Sequence, residues 1–299
     1  MKNSILYLTI ALAAVSAVSC KSQFTKLLAS YDENLKYQKA FEYFDAEKYA
    51  KAAQLFESVS ISSGGTARED TVLYYWGLSN YKSNDFVTAE TNFSNFVTMF
   101  PSSPFVDEAA FYRIDCMYKA TLRYELDQKP THVALEAINE YLASERESHY
   151  RGECEKMITD LNGRLDRKAY ESAKLYYKME DYLAARTALR NVLKDNSDNI
   201  YREDILYYTC MSSYKFSKMS ISEKQKDRYM EFVDDYLNFI GEFPESIYRK
   251  EIDAMYHKSL KELGRYSGTE DDLEKKEKDF ERERKILLRN QEAAAEKKK

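Results

Sequence analysis

One phrase occurs twice in this chain. FSNFVTMFPSSPF (Phe93 to Phe105) and YLNFIGEFPESIY (Tyr236 to Tyr248) align without a gap: Asn95 matches Asn238, Phe96 Phe239, Phe100 Phe243, Pro101 Pro244 and Ser103 Ser246, and Glu108 and Glu251 continue the register. A recurring phrase marks a recurring unit, and such units bury their apolar faces against their neighbours rather than in one central core. Composition says what kind of unit. Eight glycines and four prolines in 299 residues are too few for strand-and-turn architectures or glycine-rich phosphate loops. The 26 tyrosines recur at helical spacing. The expected fold class is all-α.

The rest of each unit resembles the tetratricopeptide repeat, a helix-turn-helix of about 34 residues. A small residue in the first helix packs closely on the second. Nine residues later an aromatic starts the second helix, followed by a small residue and then a large apolar one. The first unit reads Ala40, Tyr49, Ala52, Phe56; the second Gly77, Phe86, Ala89, Phe93, closed by Pro101; the fourth Ala173, Tyr182, Ala185, Leu189. The third is looser, with Ala134, Ala137 and Tyr141 after a first helix near Ala109 to Tyr124. The fifth keeps Tyr229, Tyr236 and Pro244 but has Phe232 where alanine is usual, so its helices are expected to splay. The positions Ala52, Ala89, Ala137, Ala185 and Phe232 are 37, 48, 48 and 47 apart, which places insertions near Asp127 to His132 and Ser217 to Lys226. The resemblance implies a right-handed solenoid of about five units, with first helices lining a concave groove that binds rather than catalyses.

The amino terminus supplies an address. Lys2 precedes an apolar run from Ile5 to Val18, then Ala17-Val18-Ser19-Cys20, which is the charge, core and small-residue order of a secretory signal. The run has 14 residues, short of the roughly 20 of a membrane-spanning helix. Small residues directly before cysteine resemble the lipobox of bacterial lipoproteins, so Cys20 is the expected lipidation site and its acyl chains the membrane anchor. The expected organisation is a signal peptide at 1–19, a lipidated linker at 20–30, the repeat solenoid at 31–264 and a charged tail at 265–299. Removing the signal leaves 280 residues and, with the loss of Lys2, moves the formal charge from -5 to -6. That mild acidity argues against nucleic acid as a partner.

Catalytic signatures are absent: the chain has no HExxH, GxSxG or Walker loop. Gly64-Gly65 reads as a turn between units one and two. His132, His149 and His257 are dispersed, and neither His149 with Cys154 nor their grouping with His132 and Cys116 has a nucleophile or zinc spacing. No cofactor, metal site or catalytic residue is expected. Cys116, Cys154 and Cys210, an odd and scattered set, are expected to be buried thiols. Asp107 and Glu108 open the first helix of unit three, where acids favour the helix dipole. The tyrosines are the binding candidates. Tyr74-Tyr75-Trp76, Tyr176-Tyr177 and Tyr207-Tyr208 place adjacent aromatics on different faces of first helices. Either both members of each pair fill gaps between units, or one faces the groove, where an aromatic with a polar tip suits peptide binding. Tyr75, Trp76, Tyr177 and Tyr208 are the candidate partner-binding residues. In the tail, Leu273, Phe280 and Leu287 recur every seven residues among 10 acidic and 10 basic residues between Glu270 and Lys299; one thin stripe can dock on a partner but cannot form a core.

A lipidated cysteine, a short linker, about five such repeats and FP-x-S phrases closing two of them resemble the BamD family of outer-membrane lipoproteins. The resemblance implies a periplasmic scaffold at the inner face of the outer membrane that binds the periplasmic domains of the barrel protein BamA and receives unfolded outer-membrane barrel precursors. It carries over one residue, Cys20; precursor binding by the amino-terminal units and BamA binding by the carboxy-terminal units carry over as regions. Lys21 and Ser22 follow Cys20, and the absence of aspartate there fits the outer membrane. A second reading is a repeat lipoprotein that scaffolds cell-wall enzymes; a third is a lipoprotein enzyme, against which the lack of a convergent titratable cluster counts.

Overall fold

The computed structural model describes residues 23–144, 148–267 and 282. Cys20, the signal peptide and the tail stripe of Leu273, Phe280 and Leu287 lie outside the described residues. A short helix over 23–28, α1, precedes α2 (Glu33–Asp45), α3 (Tyr49–Ser63), α4 (Glu69–Lys82), α5 (Phe86–Met99), α6 (Val106–Lys119), α7 (Lys129–Ser144), α8 (Arg151–Lys178), α9 (Tyr182–Asp195), α10 (Arg202–Lys218), α11 (Ser222–Glu242) and α12 (Arg249–Ser267). No strand occurs among the described residues. The five expected pairs are α2/α3, α4/α5, α6/α7, α8/α9 and α10/α11, and α12 follows as a further first helix. The chain forms two compact units, residues 1–161 and 162–299.

Within each unit sequential helices pack on one another, and first helices of successive repeats also touch, α4 with α6 and α10 with α12. The repeat positions read from sequence lie in these seams. Ala40, Ala52, Phe56, Ala89, Phe93, Ala134, Ala185, Leu189 and Phe232 are wholly buried. Gly77 is required by close approach: a Cβ there would stand 2.9 Å from Cε1 of Phe93.

The turn inside a repeat has its own chemistry. Glu47, Asn84 and Glu180 adopt left-handed conformations, with φ of 57°, 65° and 63°, and each stands two residues before a second helix. The amides of Lys48, Asp85 and Asp181 reach back to the carbonyls of Tyr43, Asn80 and Tyr176, closing the first helix as a Schellman motif does. Asp85 and Asp181 then cap the next helix, accepting from the amides of Thr88 and Ala184.

Two expectations need correction. The insertion near Asp127 is present as the connection 120–128, held by Gln128, whose buried amide donates to the carbonyls of Arg123 and Leu126 and whose Oε1 accepts from Thr131. The one near Ser217 to Lys226 is not a loop: α10 and α11 are separated only by 219–221, and the added length is helical, α11 having 21 residues and α8 28. Nor do the helices of the fifth repeat splay; α10 and α11 are as closely packed as the other pairs. Phe232 fits because α10 offers small side chains, burying Thr209, Cys210, Ser212, Ser213 and Ser217. The bulk has moved from one helix to the other.

Candidate partner-binding surface

The four aromatic candidates occupy seams between repeats, each with part of its ring exposed. Tyr75 on α4 has ring contacts with Phe41 at 4.8 Å, Phe44 at 5.2 Å and Phe56 at 5.9 Å, joining the apolar clusters of the first two repeats. Trp76 packs beside it on the first cluster. Tyr208 on α10 meets Tyr177 of α8 at 5.1 Å, and the Lys174 ammonium lies 4.5 Å from the centre of the Tyr208 ring. Their neighbours Tyr74 and Tyr207 are buried, whereas Tyr176 is exposed. Tyr75, Trp76, Tyr177 and Tyr208 thus combine a packing role with an open edge. In the 176–177 pair Tyr176 is the more accessible ring.

A group of exposed apolar side chains in the second unit lies at the turns within its repeats. Leu175 and Met179 are one helical turn apart, with Tyr176 and Leu183 alongside in sequence; Met219 and Ile221 flank the corresponding turn of the fifth repeat. Sequence reasoning passed over them because a turn is ordinarily polar. The signal was there in Met179 and Leu183, which bracket the charged pair Glu180-Asp181.

Successive repeats are joined by one recurring device. A hydroxyl or amide residue, one intervening residue and an aromatic form each joint: Ser103-Pro104-Phe105, Ser148-His149-Tyr150, Asn199-Ile200-Tyr201 and Ser246-Ile247-Tyr248. In all four the first side chain accepts from the amide of the third, at 3.3, 3.2, 2.9 and 3.1 Å. The aromatic ring stacks on a ring of the preceding first helix: Phe105 on Tyr74 at 4.5 Å, Tyr150 on Phe111 at 4.0 Å, Tyr201 on Tyr170 at 5.0 Å and Tyr248 on Tyr207 at 4.0 Å. An acid of that helix receives the joint, in the first turn of α4, α6 and α10 and in the middle of α8. Asp70 accepts from Ser103 at 3.0 Å, Asp107 from Ser148 at 3.2 Å, Asp166 from the Ile200 amide at 3.1 Å, and Asp204 from the Tyr248 hydroxyl at 2.7 Å. Asp107, expected to serve the helix dipole, therefore also ties two repeats. The first joint departs from the pattern. Thr66-Ala67-Arg68 puts a guanidinium, 4.9 Å away, over the ring of Tyr37.

A buried ion pair lies in the second unit. Arg186 on α9 donates to Asp235 at 2.6 Å and to Glu231 at 2.5 Å, both on α11. Burial works against the Arg186 charge, but the hydrogen bond it donates to Asp235 and the fields of Asp235, Glu231 and Asp234 outweigh it and hold its pKa above the ordinary value. An open cleft of about 350 Å3 beside this pair is lined by both signs of charge, including Arg190, Lys194, Asp234 and Glu242.

The thiols are suited to packing. Cys116, Cys154 and Cys210 are free and buried. Burial, with the field of Asp115, pushes the Cys116 pKa up to about 12; burial, with that of Glu153, pushes Cys154 up to about 11; and burial raises Cys210 well above 9. All three stay protonated near neutral pH, and a thiol rather than a thiolate is a poor nucleophile or ligand. Among the described residues no group of three or more His, Cys, Asp or Glu could hold a metal ion, and no helix is long and apolar enough to cross a membrane.

The Outer membrane protein assembly factor BamD of Caulobacter vibrioides is 21% identical over 199 residues, covering 66% of this chain and 65% of the relative, so the chain matches just under two thirds of that protein's length. A solved structure, the TPR2AB-domain:pHSP90-complex of yeast Sti1, aligns at 13% identity over 76% of this chain and 98% of that one, with a TM-score of 0.37. The family model described as YfiO, Outer membrane lipoprotein, matches residues 29–229. That span is more than half of the chain and takes in the first four helix pairs and much of the fifth, and on it the chain belongs to the YfiO family of outer membrane lipoproteins.

Proposed function

We propose that this chain is a non-catalytic scaffold of the machinery that assembles β-barrels in the outer membrane, anchored by lipid at Cys20 on the periplasmic face. The family match over 29–229 carries the reading. The relative named as an assembly factor supports it, as do helix pairs whose accessible features are half-open aromatics and apolar turns rather than a convergent titratable cluster. The periplasmic domains of BamA and unfolded barrel precursors are the partners in this reading. Tyr75, Trp76, Tyr177 and Tyr208, with the more exposed Tyr176, are the residues at which contact is expected. Holding partners together requires an anchor and a surface but no reacting group, which is the division of labour between Cys20 and the repeats.

Affinity purification from detergent-solubilised envelopes tests the reading. Recovery of BamA with the chain is the expected result; recovery of cell-wall synthases or hydrolases without BamA would reject it in favour of a cell-wall scaffold. Depletion of the chain should remove barrel proteins from the outer membrane while lipoproteins remain. Cys20→Ser should release a folded chain into the periplasm, and normal barrel assembly in that variant would show that the anchor is dispensable.

A further inference from the structure

The first joint is a vacancy in a pattern otherwise filled four times. Phe105, Tyr150, Tyr201 and Tyr248 each lay a ring on the preceding first helix, and the residue at the matching place is Arg68. An open cavity of about 290 Å3 remains there, floored by Tyr37, Val59 and Val72 and rimmed by Ser62, Thr66 and Arg68. A dry cavity of about 150 Å3 accepts benzene, so one aromatic ring fits with room for its polypeptide attachment. Val72 is wholly buried and Val59 nearly so, so they back the cavity from beneath, and the surface that meets a ring is the partly exposed Tyr37, placed on its first helix as Tyr74 and Tyr207 are on theirs. The nearby acid is already engaged. Glu33 holds Lys36 at 3.1 Å and accepts from Ser62 at 3.0 Å, so the charge at the rim without an acidic partner among the described residues is the exposed guanidinium of Arg68, which donates to Asn34 at 3.1 Å and lies over the Tyr37 ring.

We propose that the cavity between α2, α3 and α4 is a binding site for an aromatic side chain presented by another polypeptide, which supplies the ring the first joint lacks. Arg68 covers Tyr37 while the site is empty and moves aside, or stacks on the incoming ring, when it fills. A carboxylate near that aromatic residue complements Arg68, which favours an acidic aromatic segment over a basic one. The site rests on the geometry of the joints and is independent of which assembly the chain serves.

The test uses the full chain with methyl-labelled valines and two peptides, acetyl-Ser-Ala-Tyr-Ala-Ala-Glu-amide and its counterpart with alanine for tyrosine. The tyrosine peptide should shift the methyl resonances of Val59 and Val72 saturably, by ring current, and the alanine peptide should leave them in place. Arg68→Tyr completes the joint from within the chain. It should raise the melting temperature and abolish the shifts. Equal shifts with both peptides, unchanged binding in Arg68→Tyr, or no shift of either valine would each overturn the proposal.

Discussion

The rings of Tyr207 and Tyr248 lie 4.0 Å apart at an interplanar angle of 18°, and their hydroxyls cross to opposite helices. Tyr207 on α10 donates to Glu251 on α12 at 3.0 Å, and Tyr248, just before α12, donates to Asp204 on α10 at 2.7 Å. Two repeats are tied by one stack and two reciprocal bonds to carboxylates. Burial, together with the hydrogen bond to Glu251, raises the Tyr207 pKa, and the hydrogen bond to Asp204, together with burial, raises that of Tyr248 to about 12. Both rings are therefore neutral donors at any physiological pH.

The stack predicts a coupling. In a double-mutant cycle of Tyr207→Ala and Tyr248→Ala, measured by urea unfolding, the double variant should lose less than the sum of the single losses by about 1 kcal/mol, the scale of an aromatic pair beyond its buried area. Additive losses would mean that the rings are neighbours without being partners.

Gly77→Ala should destabilise even though alanine favours a helix. The gain of about 1 kcal/mol in helix propensity is opposed by overpacking against the buried Phe93 ring, which costs about 1–3 kcal/mol. Gly163→Ala on α8 is the control: its nearest neighbour would be Ile200 Cδ1 at an ordinary 3.7 Å, so the same change there should raise the melting temperature. A stabilised Gly77→Ala would show that Phe93 yields freely.

The left-handed residues should respond in the opposite sense. Glu180→Gly and Glu47→Gly relieve a conformation that costs an ordinary side chain about 1–2 kcal/mol; after the entropy glycine adds to the unfolded chain, each should gain about 0.5 kcal/mol. Asn84→Gly should gain less, since asparagine tolerates that region. Thermal melts of the three variants would show the order, and equal or reversed effects would remove strain as the explanation.

Removing one member of the Arg186–Asp235 pair leaves the other charge buried. The Asp235 side chain is 5% exposed and Arg186 12%, whereas Glu231 is 48% exposed. Asp235→Ala should therefore cost about 3–5 kcal/mol, and Glu231→Ala no more than about 1 kcal/mol. Comparable losses from both would contradict the assignment of Asp235 as the buried partner.

Alkaline pH should weaken the fold. Cys154 is raised from 9.0 to about 11 and Tyr112 from 10.0 to about 12, in both cases chiefly by burial. The native state holds these protons more tightly, so their contribution is complete below the unfolded values and is lost as pH rises through the folded ones. Each fully shifted group then removes about 1.4 kcal/mol per pH unit within that window. Urea midpoints at about pH 8 and about pH 10.5 measure the loss. Cys154→Ala should show a smaller difference between the two, and an identical difference would exclude Cys154 as a source.

The repeats, their starts and several of their ends were readable in the chain. Aromatic, small and apolar residues at fixed offsets, and the proline after α5, are local signals, because each helix start depends on residues within a few positions of it. The extra first helix α12 and the close packing around Phe232 were not, since the first lacks a second-helix partner phrase and the second depends on small residues some twenty positions earlier. Nor was the joint device, although its signature, serine or asparagine two residues before an aromatic, recurs in plain sight; the rings it stacks on are 31 to 41 residues away.

By itself, then, the sequence determined that this chain is helical, built of repeats, and where most helices begin. Which of two adjacent tyrosines is buried was decided only in the tertiary structure. Neighbouring side chains on a helix point about 100° apart, and both can be apolar. The choice between them falls to the helix that arrives from the next repeat. Tyr74 and Tyr207 are covered because Phe105 and Tyr248 come back over them. Tyr37 is left with an open cavity because the residue that returns to it is an arginine.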